Sequence, residues 1–214
     1  MIRMKAVIVN GSPRKNWNTA QLLKEAQKGA ESAGYETEYT DLYDLQYHGC
    51  RSCLVCKRRG NTEPWKCCWK DGLSEVLDKI LQADRLIIGT PIYYAQPVAE
   101  VRSLVTRLAF PAMSYNDHTS LYPGRLEVDV FLTMNVGMQR WEEFYEPRMR
   151  EYFAPLRYLN GETHLFPVCD TWQVEDYSLY EMRNFDEEHK RQRHETEFPK
   201  ALACAYKVGQ GIRE

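Results

Sequence analysis

Short apolar runs alternate along the chain with longer segments in which apolar residues recur every three or four positions. The runs contain β-branched residues and predict buried strands, whereas the periodic segments predict amphipathic helices. Strands are predicted over residues 6–9, 35–40, 86–89, 126–134 and 164–168. Helices are predicted over residues 18–33, 71–82, 98–109, about 138–158 and from 199 onward. This alternation predicts an α/β fold, in which a parallel sheet carries helices on both faces.

Several residues mark where these elements begin, end or break. Gly34 is expected to stop the first helix, and Asn18 followed by Gln21 resembles a capping box at its start. Pro147 should kink or break the helix over residues 138–158. The dense charge of residues 185–197 predicts a solvated helix face.

The predicted topology brings three polar loops together. Five β–α units in 214 residues fit a doubly wound, five-stranded parallel sheet with the strand order 2-1-3-4-5. The loops over 11–18, 90–97 and 135–140 all follow strands, and ligands of such sheets bind beyond the carboxyl ends of the strands. A binding site is therefore expected where these loops meet.

The first of these loops has the composition of an anion site. It leads into a helix N-terminus, where free backbone N–H groups and the helix dipole favour negative charge. Ser12, Arg14, Asn18 and Thr19 surround that end and could cradle a phosphate. Neither the triphosphate loop G-x-x-x-x-G-K-[ST] nor the dinucleotide fingerprint G-x-G-x-x-G is present. An ordinary capped β–α turn is the alternative interpretation.

Composition limits the partners that the chain can have. Its 214 residues are expected to form one domain with a Cys-rich loop at about 48–70. A net charge of −2 and a pI of about 6.2 give no nucleic-acid footprint. No apolar run approaches transmembrane length, and the N-terminus lacks a signal-peptide pattern. We therefore expect a cytoplasmic protein with no nucleic-acid or membrane partner.

Five of the seven cysteines lie between residues 50 and 68. Because the cytosol keeps thiols reduced, this clustering favours a metal or redox role over structural disulfides. Cys50, Cys53 and Cys56 match the first three positions of a bacterial ferredoxin run, and Cys67 or Cys68 could supply the fourth thiolate of a [4Fe–4S] cluster. Zinc bound by four thiolates, or a loop of free thiols at a dimer interface, are the alternatives.

A second interpretation of Cys53 is disfavoured. Cys53 and Arg59 have the Cys-x5-Arg spacing of the phosphate loop of tyrosine phosphatases. That loop requires a strand before it and a helix after it, whereas the flanking residues here are Cys-rich and aperiodic.

Two loops and the cysteines together resemble a known family. Gly-Ser-Pro-Arg at 11–14 with Asn-Thr-Ala at 18–20 resembles the phosphate loop of flavodoxin-like NAD(P)H-dependent FMN reductases. Gly-Thr-Pro-Ile-Tyr-Tyr at 89–94 resembles their second flavin loop. The cysteine run is similar to the branch that includes the iron–sulfur flavoproteins, although the stretch over 57–66 is longer than that pattern. The resemblance covers residues 4–110 and, weakly, the last helix.

This resemblance implies a flavodoxin-like fold and one bound FMN, held by three loops. The phosphate would be held by Ser12, Arg14, Asn18, Thr19 and Ala20. The isoalloxazine would be lined by Pro91, Ile92, Tyr93 and Tyr94. By a looser match, the ring would also contact Asn135, Val136 and Gly137. No catalytic acid, base or nucleophile is expected, because the protein has only to stack the two reacting rings and exclude water.

The implied function is that of an FMN-dependent oxidoreductase, which passes reducing equivalents from NAD(P)H to a small acceptor such as a flavin or quinone. One alternative is an iron–sulfur flavoprotein that carries electrons between redox proteins, and another is a non-enzymatic, zinc-binding interaction module. The family resemblance also implies a homodimer or homotetramer. The tryptophans at 65, 69, 141 and 172 are expected either to anchor that interface or to cover the monomer's own core.

Overall fold

The computed structural model describes residues 4–213, which form a parallel sheet between two layers of helices. The strands are β1 (Lys5–Asn10), β2 (Glu36–Asp41), β3 (Arg85–Tyr93), β4 (Gln96–Pro97), β5 (Leu126–Thr133) and β6 (Asn160–Val168). The helices are α1 (Asn18–Ser32), α2 (Ser74–Ile80), α3 (Ala99–Ala112), α4 (Met138–Arg140), α5 (Glu146–Phe153), α6 (Glu187–Thr196) and α7 (Phe198–Gly209). Four 3₁₀ turns span Leu42–Asp44, Val55–Lys57, Ala154–Leu159 and Tyr177–Leu179.

The sheet has the order β2-β1-β3-β5-β6, and all four of these pairings are parallel. Since β4 is a short extra strand, this is the predicted order 2-1-3-4-5 of a flavodoxin-like sheet, and the prediction is confirmed. The parallel pairing places the carboxyl ends of β1, β3 and β5 at one edge. No helix within residues 4–213 is long and apolar enough to cross a membrane.

Two apolar layers cover the sheet, one beneath α2 and α3 and the other beneath α1 and α7. The second layer depends on a close helix crossing. A Cβ atom on Gly29 of α1 would lie 2.0 Å from the carbonyl oxygen of Tyr206, and one on Gly209 of α7 would lie 2.0 Å from that of Ala26. Both positions therefore require glycine if the two helices are to pack this closely.

Two strand boundaries differ from the prediction. The stretch over 90–97 was expected to be a loop, but β3 continues through Tyr93 and turns back into β4. Tyr94 and Ala95 make that turn with φ of 49° and 60°, as a two-residue hairpin loop requires. The second difference is the start of β6, which was expected at residue 164 but lies at Asn160. The chain enters this strand through Asn160, which is left-handed, and Gly161, where the pairing with β5 is irregular.

Helix ends follow the sequence signals in part. Gly34 adopts φ of 89° and ends α1 as predicted, and the helical segment changes from a π turn (Trp141–Tyr145) to α5 next to Pro147. The predicted capping box is wrong: Trp17 occupies the N-cap position of α1 and makes no side-chain cap, and Asn18 is the first helical residue. Its amide is used instead in a long-range contact with Trp172.

A buried ion pair joins the sheet to the last helix. Arg85 of β3 donates from Nη2 to the carboxylate of Asp129 on β5, and both side chains are almost wholly buried. The same guanidinium donates to the carbonyl oxygens of Gly209 and Val208, at 2.6 and 2.7 Å, at the C-terminus of α7. Arg213 also binds Asp129, at 2.7 Å. The carboxylate therefore balances two arginines, one of which anchors α7.

We predict that Asp129→Ala lowers the free energy of unfolding by about 3–5 kcal/mol, because it leaves the Arg85 charge buried without its partner. The measurement is urea denaturation followed by circular dichroism. The control is Glu75→Ala, which removes the exposed pair with Lys79 and should leave the midpoint nearly unchanged. Equal effects of the two variants would contradict the structural role of Asp129.

Candidate functional site

A cleft lies at the carboxyl edge of the sheet, where the loops after β1, β3 and β5 meet. Eight of the twelve implied FMN-binding residues line it: Ser12, Arg14, Asn18, Thr19, Pro91, Ile92, Tyr93 and Asn135. The other four are not among its lining residues. Ala20 is fully buried, Tyr94 is fully exposed at the tip of the β3–β4 turn, and Val136 and Gly137 lie further along the loop after β5. The structure therefore brings all three loops together.

Side-chain hydrogen bonds fix the shape of the loop after β1. Asn10 Oδ1 accepts from the backbone N–H of Ser12 at 2.9 Å, and Ser12 Oγ accepts from that of Arg14 at 3.1 Å. The hydroxyls of Thr19 and Thr133 share a buried hydrogen bond of 2.7 Å, which ties the start of α1 to the end of β5. If Thr133 is the donor in this pair, the Thr19 hydroxyl keeps its own hydrogen to donate to an anion.

A segment after β6 covers this loop, and we call residues 170–184 the strap. Trp17 Nε1 and Asn18 Nδ2 donate to the backbone carbonyl of Trp172, at 3.1 and 2.7 Å. Arg14 Nη1 donates to the carbonyl of Gln173. Three donors next to the helix N-terminus thus converge on two consecutive carbonyl oxygens. The sequence analysis gave the strap no role at the binding site, although Trp172, Gln173 and Met182 all line the cleft.

The strap is also held against the loop after β5. The backbone N–H and the hydroxyl of Thr171 both donate to the carbonyl of Met134, each at 3.1 Å. The N–H of Asp170 donates to the carbonyl of Val136 at 2.8 Å. The strap therefore bridges two of the three loops that form the cleft.

One lysine of α6 corrects the expectation that residues 185–197 form only a solvated face. Lys190 is buried, and its ammonium donates to the carbonyl of Asn135, at 3.0 Å, and to the carboxylate of Asp170. His189 Nε2 lies 2.6 Å from the same carboxylate. Burial acts to raise the pKa of Asp170, but the hydrogen bonds from Lys190 and His189 outweigh it and hold the pKa below its ordinary value. Lys190 therefore holds the Asn135 loop directly, and the charged carboxylate of Asp170 balances its ammonium.

The chemistry of the cleft fits FMN. Arg14, Trp17 and Asn18 supply a cation and two N–H donors beside a helix N-terminus, which suits a phosphate. Two buried acceptors, Asn135 Oδ1 and Gln173 Oε1, have no hydrogen-bond partner and could accept from the polar edge of a flavin ring. The cleft encloses only about 150 Å³, less than the roughly 300–1,000 Å³ of ordinary ligand pockets. A flavin bound here would therefore extend beyond the enclosed part of the cleft.

The five clustered cysteines surround one small cavity beside the C-terminus of α3. Cys56 is buried, Cys67 is half-buried, and Cys50, Cys53 and Cys68 are exposed. The stretch over 57–66, which weakened the match to the iron–sulfur flavoproteins, folds back so that Cys67 and Cys68 rejoin the first three cysteines. No α-helix follows Cys53 within the loop, so the flanks that a phosphatase loop requires are not found there.

Two cations hold this loop against α3. Arg107, which is buried, donates to the carbonyls of His48 and Trp69, at 3.1 and 2.9 Å, and pairs with Asp71 at 2.6 Å. It therefore joins the two ends of the loop. Lys57 donates to the carbonyl oxygens at the C-terminus of α3, namely those of Phe110, Pro111 and Met113. A cation at a helix C-terminus is electrostatically favourable, so Lys57 stabilises the packing of the loop against α3.

The spacing of the thiols distinguishes between metals. Around one tetrahedral zinc ion, Zn–S bonds of about 2.3 Å would place sulfurs about 3.8 Å apart. Cys53 Sγ and Cys68 Sγ have that separation, 3.8 Å. No three of these thiols lie within 4.8 Å of one another, however, among residues 4–213. As they lie in the structure, the thiols do not surround a single ion, whereas in a four-iron cluster each thiolate would bind a different iron.

The tryptophans expected as interface anchors divide between two roles. Trp141 is buried in the chain's own core and Trp65 packs against it, whereas Trp172 lies in the strap. Trp69 stacks beneath the guanidinium of Arg51, with 4.0 Å between the guanidinium carbon and the ring centroid. Because Trp141 is buried in the chain's own core, its side chain is not exposed to anchor an interface with a second chain.

Comparison with known proteins agrees with this geometry. Residues 4–122 match the family model described as NADPH-dependent FMN reductase. An iron–sulfur flavoprotein of Methanocaldococcus jannaschii is 36% identical over 104 residues, which cover 49% of this chain and 51% of that protein. One from Methanosarcina thermophila is 27% identical over 104 residues, 49% of this chain and 52% of that protein. The chain spans about half the length of the curated relatives it matches.

Solved structures share the fold over the whole chain. An NAD(P)H:quinone oxidoreductase from Methanothermobacter marburgensis has a TM-score of 0.70 at 15% identity, covering 97% of this chain and 98% of that chain. An azoreductase from Bacillus anthracis has a TM-score of 0.66 at 12% identity, covering 98% and 100%.

The family match spans the first three parallel strands and the first two loops of the cleft. It covers 119 of the 214 residues. Because this match covers more than half of its length, the chain belongs to the NADPH-dependent FMN reductase family.

Proposed function

We propose that the chain is an FMN-dependent oxidoreductase that passes reducing equivalents from NAD(P)H to a small acceptor such as a flavin or quinone. The observation that carries this proposal is the convergence of three loops on one cleft, with anion donors at one end and an aromatic, Pro-fixed strand end at the other. Bound FMN would supply the redox chemistry, since it can accept a hydride and release electrons to the acceptor. The family match and the quinone oxidoreductase and azoreductase structures described above support an oxidoreductase of this kind.

In this proposal the chain's own residues bind, orient and enclose the flavin. Arg14 and Asn18 would turn from the carbonyls of the strap to the phosphate. A doubly charged anion is a stronger hydrogen-bond acceptor for their N–H groups than a neutral carbonyl oxygen. Pro91, Ile92 and Tyr93 would contact the ring, and Asn135 would accept a hydrogen bond from its polar edge. The strap would close over the bound group and exclude water from it.

The cysteine loop favours a second candidate function, that of an iron–sulfur flavoprotein that carries electrons to another redox protein. Five thiols around one cavity give enough ligands for a [4Fe–4S] cluster held by Cys50, Cys53, Cys56 and Cys67. Arg107, which also contacts Cys67, would compensate part of the negative charge of the thiolates. The two candidates differ in the route by which electrons leave the flavin.

We predict that the protein binds FMN and that Arg14→Ala weakens this binding about tenfold, through the loss of one charge-assisted phosphate contact of about 1.4 kcal/mol. Quenching of flavin fluorescence on titration measures the dissociation constant. The control is Arg125→Ala, an exposed arginine at the entry of β5, which should bind FMN as the wild type does. A wild-type chain that does not bind FMN would refute the proposed function, and unchanged affinity in Arg14→Ala would remove Arg14 from the site.

We predict that Cys53→Ser, prepared without oxygen, loses iron and sulfide but keeps its FMN affinity, because a serine oxygen replaces one thiolate ligand. The measurements are iron and sulfide analysis and the visible absorption spectrum. Cys204→Ser on α7 is the matched control and should keep the metal content of the wild type. Zinc in place of iron, or no metal in the wild-type protein, would contradict the electron-carrier candidate.

A further inference from the structure

A second cavity lies behind the strap, on the side away from the flavin cleft. It encloses about 360 Å³, which is within the range of ordinary ligand pockets. The sheet face of β5 and β6 forms one wall, and α6 and α7 form the other. Only Thr171 and Trp172 also line the flavin cleft. Exposed Lys200 is among its lining residues, so the cavity reaches the surface.

Both walls of this cavity carry stacked aromatic rings. On the sheet side, Phe131 and Phe166 stack with 5.2 Å between ring centroids and 29° between their planes. On the helix side, His194 and Phe198 stack at 5.1 Å and 21°, and Trp172 lies 6.2 Å from His194. A planar aromatic ligand could contact ring surfaces on both sides.

Some side-chain nitrogen atoms that line the cavity have no hydrogen-bond partner, although most of the charges there are paired. Lys200 pairs with Glu197 at 2.9 Å, and Asp170 is neutralised by Lys190 and His189. Arg193 approaches Asp170 only to 3.8 Å, and its Nε is buried without a hydrogen-bond partner.

His194 adds a second nitrogen of this kind, because its Nδ1 is also buried without a partner. A buried N–H without a partner costs free energy that an acceptor oxygen would recover, and this holds for Arg193 Nε and for the His194 tautomer that carries its proton on Nδ1. The charge on this wall therefore favours an anionic oxygen.

The two thiols in the cavity are poor candidates for a chemical role. Burial raises the pKa of Cys169 to about 11 and also raises that of Cys204. Both thiols therefore stay protonated at neutral pH and act as part of the apolar wall. The site is then one of binding rather than of covalent chemistry.

We propose that this cavity is a second ligand site, which takes a planar aromatic anion and holds its acidic group at Arg193 and His194. The ring system lies between the sheet-side and helix-side aromatic residues. The site is separate from the flavin cleft and can be occupied without bound FMN.

The test is isothermal titration calorimetry with two matched probes, 2-naphthoate and the neutral 2-naphthamide. We expect naphthoate to bind more tightly than naphthamide to the wild-type chain. Arg193→Met keeps the length of the side chain but removes its charge and donors, so it should weaken naphthoate about tenfold and change naphthamide less than about twofold. His194→Phe keeps the aromatic stack and should act in the same direction.

A filling variant locates the probe. Ala201 of α7 lines the cavity, and Ala201→Trp should abolish binding of both probes while circular dichroism and FMN affinity stay at wild-type values. Undiminished naphthoate binding in Ala201→Trp would overturn the proposal, as would equal affinity of wild type for the two probes.

Competition with FMN separates this inference from the proposed function. Loss of naphthoate binding in Arg14→Ala, or its complete competition by FMN, would place the probe in the flavin cleft and overturn the second site. A chain that binds naphthoate in the expected manner but has no affinity for FMN would support this inference and refute the proposed function.

Discussion

The hydrogen-bonded register of β1, β3 and β5 determines where the three loops of the flavin cleft lie. Because the three strands are parallel and adjacent, their carboxyl ends must emerge at one edge, and the loops that follow them must meet. The Thr19–Thr133 hydrogen bond and the Asn10 side chain then fix two of these loops from below. The binding chemistry is therefore placed by backbone pairing and needs few dedicated side chains.

Long-range contacts to the strap complete this edge. The backbone carbonyls of the strap accept hydrogen bonds from the side-chain donors of the loop after β1, so these donors are paired within the chain. Lys190 performs a related task from the other side, since it neutralises Asp170 and anchors the Asn135 carbonyl. At the cysteine loop, Arg107 and Lys57 use backbone carbonyls in the same way. In each case a cation orders an irregular segment that apolar packing alone would leave loose.

The sequence predicted the strand order and the convergence of the loops, because hydrophobic periodicity is local and parallel topology has few alternatives. The strap could not be predicted in the same way. Arg14 and Gln173 are 159 residues apart, and a backbone carbonyl that accepts a hydrogen bond has no residue type to reveal it. Lys190 was missed because one buried lysine in a charged run looks like its solvated neighbours. Tyr94 was assigned to the flavin by the family resemblance, and its exposed position at the tip of a turn that continues β3 beyond the expected loop could not be read from the sequence.

Trp172 belongs to both cavities at once: its carbonyl faces Arg14's side of the strap, and its indole borders the aromatic cavity. A shift of the strap that frees the donors of the loop after β1 must also move one wall of the second cavity. Two ligands bound in these cavities would therefore be thermodynamically linked through the shared strap residues. By linkage, whatever factor one ligand imposes on the affinity of the other is returned unchanged in the opposite direction. In the proposed pair of sites, a ligand in one cavity would thus change the affinity of the other cavity for its own ligand.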